Sequence, residues 1–194
     1  APAPDDEQFQ QFVNTAVTKL IEMTGGKTLV LFTSYESLKQ TCAYARTQLP
    51  DMELLQQGED DRSRLLQTFK EHIESSLFAT ASFWAGIDVP GEALSHVILV
   101  KLPFAVPSAP LFRARADAIE KRGGSSFMQL SVVQFRQGFG RLMRSQTDRG
   151  IVTLLDKRAL VKQYGRIFID SIPKTKQCFA SLEEIVYTVE NFLY

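Results

Sequence analysis

The sequence predicts an α/β protein: a parallel sheet with helices on both faces. Short apolar runs of strand length alternate with stretches whose apolar residues recur at helical spacing. The runs, such as Leu29-Val-Leu-Phe32 and His96-Val-Ile-Leu-Val-Lys-Leu102, are continuous rather than alternating, as strands buried on both faces require. The composition, 44% hydrophobic and 23% charged over 194 residues, is ordinary for one globular domain with a sizeable core.

The elements follow in order. Ala1 to Glu7 is acidic and reads as linker or cloning residue ahead of a piece of a longer protein, with a single domain over 8–194. Phe9, Phe12, Val13, Ala16, Val17, Leu20 and Ile21 mark an amphipathic helix that stops at Gly25-Gly26. Leu29 to Phe32 is a strand, and Ser37 to Leu49 a helix closed by Pro50. Glu53 to Gln56 is a weak strand, Asp61 to His72 a helix with Leu65, Leu66 and Phe69 on one side, and Ser76 to Thr80 a strand. After the strand from His96 to Leu102 comes a basic helical hairpin, Leu111 to Arg122 and Phe127 to Met143, broken at Gly123-Gly124. Ile151 to Leu155 returns to strand, and Ala159 to Phe168 and Leu182 to Leu193 are helices. Phe9, Phe12 and Phe69 belong to the core, and His72 and His96 lack the companions that a metal or catalytic site needs.

Lysine plus arginine equals aspartate plus glutamate at 22 each, yet the balance is uneven along the chain. Residues 1–100 carry 7 basic and 14 acidic groups, and residues 101–149 carry 9 and 3. Arginines dominate the basic segment, and their guanidinium forks suit phosphate oxygens. Cys42 and Cys178 are too few for a disulfide scaffold or a four-cysteine metal site, and a reducing compartment is the expected setting. No charge-free apolar stretch approaches the roughly 20 residues of a membrane span.

Gly25-Gly-Lys-Thr28 imitates a phosphate-cradling loop. That loop needs Gly-x-x-x-x-Gly-Lys-Ser/Thr between a strand and a following helix. Here Ile21 holds the first glycine position and the order is inverted, so the segment reads as a helix cap leading into a strand. Gln137-Gly-Phe-Gly-Arg-Leu-Met-Arg144 is more informative. On a continuous helix, Gln137, Arg141 and Arg144 share one face, with Gly138 and Gly140 allowing close approach at about 1 kcal/mol each relative to alanine. Guanidinium groups aimed at one point call for an anion there. This is the logic of the arginine finger, worth roughly 10³–10⁵ in rate for phosphoryl transfer.

Gln137-x-x-Gly140-Arg141-x-x-Arg144 resembles motif VI of superfamily 2 helicases, in the form found in the Rad3/XPD and DinG branch. Ala79-Thr-Ala-Ser-Phe-Trp-Ala-Gly-Ile-Asp-Val-Pro-Gly91 resembles its motif V, and Val30 to Ser37 its motif IV. Lys101-Leu-Pro-Phe104 and Pro110-Leu-Phe-Arg113 resemble the segment that follows motif V. One departure is Ala85, where many relatives carry an acidic residue.

The resemblance implies a RecA-like second motor domain of a DinG-type ATP-dependent DNA helicase, a P-loop NTPase-like domain lacking the P-loop itself. ATP and Mg²⁺ would be bound mainly through a first RecA-like domain of the same parent chain, which in this branch often carries an iron–sulfur cluster. Arg144 would be the finger and Arg141 its partner on the γ-phosphate, with Gln137 positioning them or contacting nucleotide-linked groups and Gly140 in the same motif. Gly86 and Asp88 would couple the nucleotide pocket to the DNA track; the bland reading of Asp88 is a cap before Pro90-Gly91. Thr33, Ser34 and Tyr35 would hold the backbone of single-stranded DNA, joined by Ser82 and Trp84 of motif V. Tyr35 and Trp84 suit base stacking, though a buried wedge fits Trp84 equally. A cytoplasmic, nucleoid-associated bacterial protein of DNA repair is implied, with no membrane partner. The competing expectation is a non-motor nucleic-acid-binding or regulatory scaffold, linked to a 3'-5' exonuclease.

Overall fold

The computed structural model describes residues 1–80, 83, 94–104, 126–140, 142 and 150–193. Its strands are β1 (Thr28–Phe32), β2 (Leu54–Gln56), β3 (Ser76–Thr80), β4 (His96–Leu99) and β5 (Ile151–Leu154). They form one sheet, parallel throughout, in the order β2-β3-β1-β4-β5. The helices are α1 (Phe9–Thr24), α2 (Tyr35–Gln48), α3 (Arg62–Glu71), α4 (Ser126–Phe139), α5 (Arg158–Val161), α6 (Gly165–Asp170) and α7 (Leu182–Leu193). The expected α/β class is the one observed.

Continuous apolar strands serve both faces because successive side chains point to opposite sides. On one face Leu29, Leu31, Leu77, Ala79, Val97 and Leu99 pack with Leu65 and Phe69 of α3, Phe135 of α4 and Phe168 of α6. On the other, Val30, Phe32, Phe78 and Ile98 pack with α1, α2 and Val189 of α7. Phe32 and Phe78, on adjacent strands, stack with ring centroids 6.1 Å apart.

Four elements depart from the sequence reading by two residues or more. The helix expected from Ser37 begins at Tyr35, because Ser34 caps it. The strand expected to Leu102 ends at Leu99: Val100 N still donates to Leu31 O, but Leu102 N turns to the Asp156 carboxylate. The helix expected over Ala159 to Phe168 is split into α5 and α6. Gly165 lies so near the preceding turn that a Cβ there would stand 2.3 Å from the Ala159 carbonyl oxygen. The helix expected to Met143 ends at Phe139. The helix expected over Leu111 to Arg122 lies outside the described residues.

At the amino edge of the sheet, Gly25, Gly26 and Lys27 all adopt positive φ (60°, 86° and 51°). The hydroxyls of Thr24 and Thr28 converge on the Gly26 carbonyl at 2.8 and 2.7 Å. A Cβ on Gly26 would lie 2.0 Å from Glu74 O. The Gly-Gly-Lys-Thr run is thus a crowded helix-to-strand turn, with the structure its inverted context predicts.

His96 opens β4 on the same edge and is fully buried beside Thr28 in the register. Its Nε2 meets Thr153 Oγ1 at 2.8 Å, while Nδ1 has no hydrogen-bond partner among the described residues. Burial pushes its pKa down from 6.5 to about 3, so the ring is neutral in the folded protein. The unfolded chain therefore takes up the proton first, and stability falls as pH drops below 6.5. We expect a His96→Gln variant to lose this dependence between pH 6.5 and 5, where the parent slope approaches about 1.4 kcal/mol per pH unit. Urea melts across that window check it; equal slopes would remove His96 as the cause.

Candidate functional site

In a parallel sheet the carboxyl ends of all strands open on one edge, where α/β proteins place ligands. β1, at the centre, ends at Phe32 and leaves Thr33, Ser34 and Tyr35 exposed there. Ser34 is extended (φ −133°, ψ 131°), and its Oγ accepts from Ser37 N at 3.4 Å to cap α2. The positive end of α2 thereby faces the same edge as the exposed hydroxyls. Ser37 Oγ in turn donates to Gln10 Oε1 at 2.6 Å. Gln10 Nε2 donates to Asn14 Oδ1 and Thr41 Oγ1 at 2.8 and 3.0 Å. This polar seam between α1 and α2 fixes where the capped turn sits.

Tyr35 is held on two sides. Its hydroxyl donates to Gln57 O at 2.9 Å, and Lys39 Nζ lies 5.0 Å from the ring centre. Gly58, at φ 96°, passes directly beneath: a Cβ there would meet the Tyr35 hydroxyl at 2.2 Å. Gln57 completes the connection, because its Oε1 accepts from Thr80 N at 2.7 Å and Thr80 Oγ1 at 2.9 Å. Tyr35, Gln57 and Thr80 therefore tie the ends of β1, β2 and β3, and Thr80 opens the motif V segment. Phe83 is buried, with the Arg62 guanidinium 5.1 Å over its ring. Arg46 braces the β2 turn through paired contacts to Glu59 at 2.7 and 2.6 Å, and a third to Leu54 O at 2.8 Å. The mutual bond pushes the Glu59 carboxyl below its usual pKa and the arginine above its own.

The ends of β4 and β5 are joined by a buried carboxylate. Asp156 accepts from Leu102 N at 2.9 Å, from Arg158 N at 3.0 Å, and from Arg158 Nε and Nη2 at 2.9 and 2.6 Å. A buried charge is tolerable when it is paired and its lone pairs are filled, as here. The Arg158 guanidinium lies 5.1 Å over Phe104, whose ring meets Tyr164 and Phe168 edge-on at 5.4 and 5.7 Å. Lys101 Nζ sits 4.8 Å over Phe9 and donates to Pro4 O at 3.3 Å.

Gln137 is exposed on the last turn of α4, Gly138 is buried within that turn, and Gly140 lies just past the helix end, its N–H donating to Arg136 O at 2.8 Å. Only one glycine is thus inside the described helix, and the one-face alignment of Gln137 with Arg141 and Arg144 does not rest on a continuous helix. Leu142 packs on Gly150, where a Cβ would stand 2.7 Å from its side chain, beside Ile151 at the amino edge of β5. Leu142 thus stands by the amino edge of β5, whereas Thr33, Ser34 and Tyr35 stand together at the carboxyl end of β1. Ser82, Trp84, Gly86, Asp88, Arg141 and Arg144 lie outside the described residues.

Sequence reasoning missed Gln57, Thr80, Asp156 and Arg158. The available signal was Gln57-Gly58 directly after a strand, since a glycine there marks close approach.

The five-stranded parallel sheet with helices on both faces fits a RecA-like α/β domain, and solved structures agree. Saccharomyces cerevisiae Dbp5 bound to RNA and ADP BeF3 matches 95% of this chain at a TM-score of 0.56 and 16% identity, covering 43% of that chain. A point variant of the same protein, bound likewise, gives a TM-score of 0.62 at 15% identity. The chain belongs to the helicase C-terminal domain family, whose model matches residues 17–175, and within it to the DinG type. It is 38% identical over 176 residues to the ATP-dependent DNA helicase YoaA of Haemophilus influenzae, covering 89% of this chain and 27% of that protein. It is 39% identical over 163 residues to the ATP-dependent helicase DinG of Mycobacterium tuberculosis, covering 82% and 24%. The 3'-5' exonuclease DinG of Bacillus subtilis is 40% identical over 157 residues, covering 77% and 17%. The chain thus spans about a quarter or less of the length of these relatives.

Because Gln57 accepts from both the amide and the hydroxyl of Thr80, Gln57→Ala is expected to lower stability by about 1–2 kcal/mol and to speed amide exchange at Thr80. Unchanged exchange at that amide would show that the Gln57 bridge does not hold the end of β3.

Proposed function

We propose that this chain is the second motor domain of an ATP-dependent DNA helicase or translocase. In this reading Arg141 and Arg144, positioned by Gln137, reach ATP bound at the interface with a first RecA-like domain. Thr33, Ser34 and Tyr35 contact single-stranded DNA. The observation that carries the reading is the bonded path from Tyr35 through Gln57 to Thr80. It connects the strand-contact turn to the start of motif V, and so gives DNA a mechanical route toward residues Gly86 and Asp88. A motor must bind nucleotide and track at different places, and closure between domains then converts one event into the other.

The chemistry assigned to this chain is electrostatic. Guanidinium groups preorganised toward a transferring γ-phosphoryl stabilise the charge that develops there. Nucleotide and Mg²⁺ would be held mainly by the first domain, which would also be the place of any iron–sulfur cluster. Among the described residues no group of three His, Cys, Asp or Glu is arranged to hold a metal ion. No described helix is long and apolar enough to cross a membrane, and the proposed motor works on bacterial DNA in the cytoplasm. The exonuclease name of the Bacillus subtilis relative favours a second reading, a non-motor scaffold linked to a 3'-5' exonuclease.

The two readings separate in a parent protein containing both motor domains. Arg144→Ala is expected to lower DNA-stimulated ATP hydrolysis by about 10³-fold or more with DNA binding retained. ATP turnover at the parental rate in that variant would favour the scaffold. These 194 residues alone are expected to show negligible turnover, and robust hydrolysis by them would contradict the half-site assignment.

A further inference from the structure

Beyond the carboxyl ends of β4 and β5 lies a cleft of about 500 Å³ that none of the helicase motifs accounts for. Lys101, Lys157, Arg158 and Lys162 line it, with Asp5 and the exposed Val161 on its wall. Four cations thus face one space. Asp156 is buried and committed to Arg158, and Asp5 is the other carboxylate near enough to act on Lys101 and Arg158. Lys157 and Lys162 form no ion pair among the described residues.

The cleft is also built rather than incidental. Asp156 holds Nε and Nη2 of Arg158, and Phe104 lies under its plane, so the guanidinium is fixed with its Nη1 edge unengaged among the described residues. Lys101 is steadied over the Phe9 ring. Burial, and after it the Arg158 charge, hold the Lys101 pKa below the ordinary lysine value against the opposing pull of Asp156 and Asp5. Val100 N bonds Leu31 O, so Lys101 leaves β4 at the same edge of the sheet at which Thr33 leaves β1.

We propose that Lys101, Lys157, Arg158 and Lys162 form a phosphate-binding site at the carboxyl ends of β4 and β5. A planar fork flanked by three ammonium groups matches the oxygens of a phosphate better than a single carboxylate. The volume exceeds one phosphate and admits an attached sugar or neighbouring nucleotide. The same chemistry is offered by a nucleic-acid strand running on from Thr33, by a nucleotide, and by a free phosphate. The site stands without the motor reading, because it needs only a phosphate.

The test compares the 194-residue chain with two double variants of equal charge change. Lys157→Gln/Lys162→Gln alters the cleft, and Lys174→Gln/Lys176→Gln alters two exposed lysines outside it. Pyrophosphate, ATP and oligothymidylate are titrated separately, with circular dichroism confirming the fold. We expect the cleft variant to bind at least one probe about tenfold more weakly, with the control unchanged. For oligothymidylate, the slope of log affinity against log salt should shrink by about 0.7, the share of the one phosphate no longer neutralised. Loss confined to oligothymidylate identifies a strand phosphate, and loss that includes pyrophosphate or ATP identifies a free phosphate or nucleotide. Equal weakening by both variants, or no difference from the parent with any probe, overturns the proposal.

Discussion

All five strands run the same way, and a parallel sheet is stable only when helices cover both of its faces. That constraint organises the molecule. It demands continuous apolar strands, it sends α1, α2 and α7 to one face and α3, α4 and α6 to the other, and it collects every carboxyl end on one edge. The edge carries Gln57, Thr80, Thr33, Lys101 and Arg158 in the spatial order of the strands. The opposite edge receives the crowded turn at Gly26 and the neutral His96. Polar function and polar structure are thus sorted by strand direction.

Where the ladder stops, side chains continue its work. Gln57 binds the amide and hydroxyl of Thr80, and Asp156 binds the amide of Leu102, each reaching across from a neighbouring strand end. These bonds replace main-chain pairing at the point where strands must diverge into loops. The buried Asp156 is the costlier device. Four donors, two of them from a guanidinium, compensate its desolvation and also aim Arg158.

Much of this was legible in the sequence, because continuous apolar runs and helical spacing report burial directly. The strands at Leu29 and Ser76 and the helix stop at Gly25 follow from local chemistry alone. So does the turn reading of Gly-Gly-Lys-Thr, which an inverted context decides. The errors lie where distant contacts overrule local pattern. Nothing near Tyr164 announces that Gly165 must press against the Ala159 carbonyl and divide a helix. The strand at His96 ends early because a carboxylate 54 residues away captures the Leu102 amide. In the same way Thr33 to Tyr35 could be found from a strand end with hydroxyls, whereas Gln57 and Arg158 acquire meaning only through sheet order. Motif VI was legible as residues but not as geometry, since α4 ends at Phe139.

Ser34 already accepts a hydrogen bond from Ser37 N, and a hydroxyl that accepts with its oxygen still has a proton to give. Capping a helix and greeting an anion are therefore compatible tasks for this one side chain. Aspartate would cap as well or better and yet present only negative charge to the same visitor, while alanine would abandon both duties. On the proposed strand contact, the set of amino acids that can occupy this corner is narrower than helix formation alone would permit, and threonine is the natural companion to serine within it.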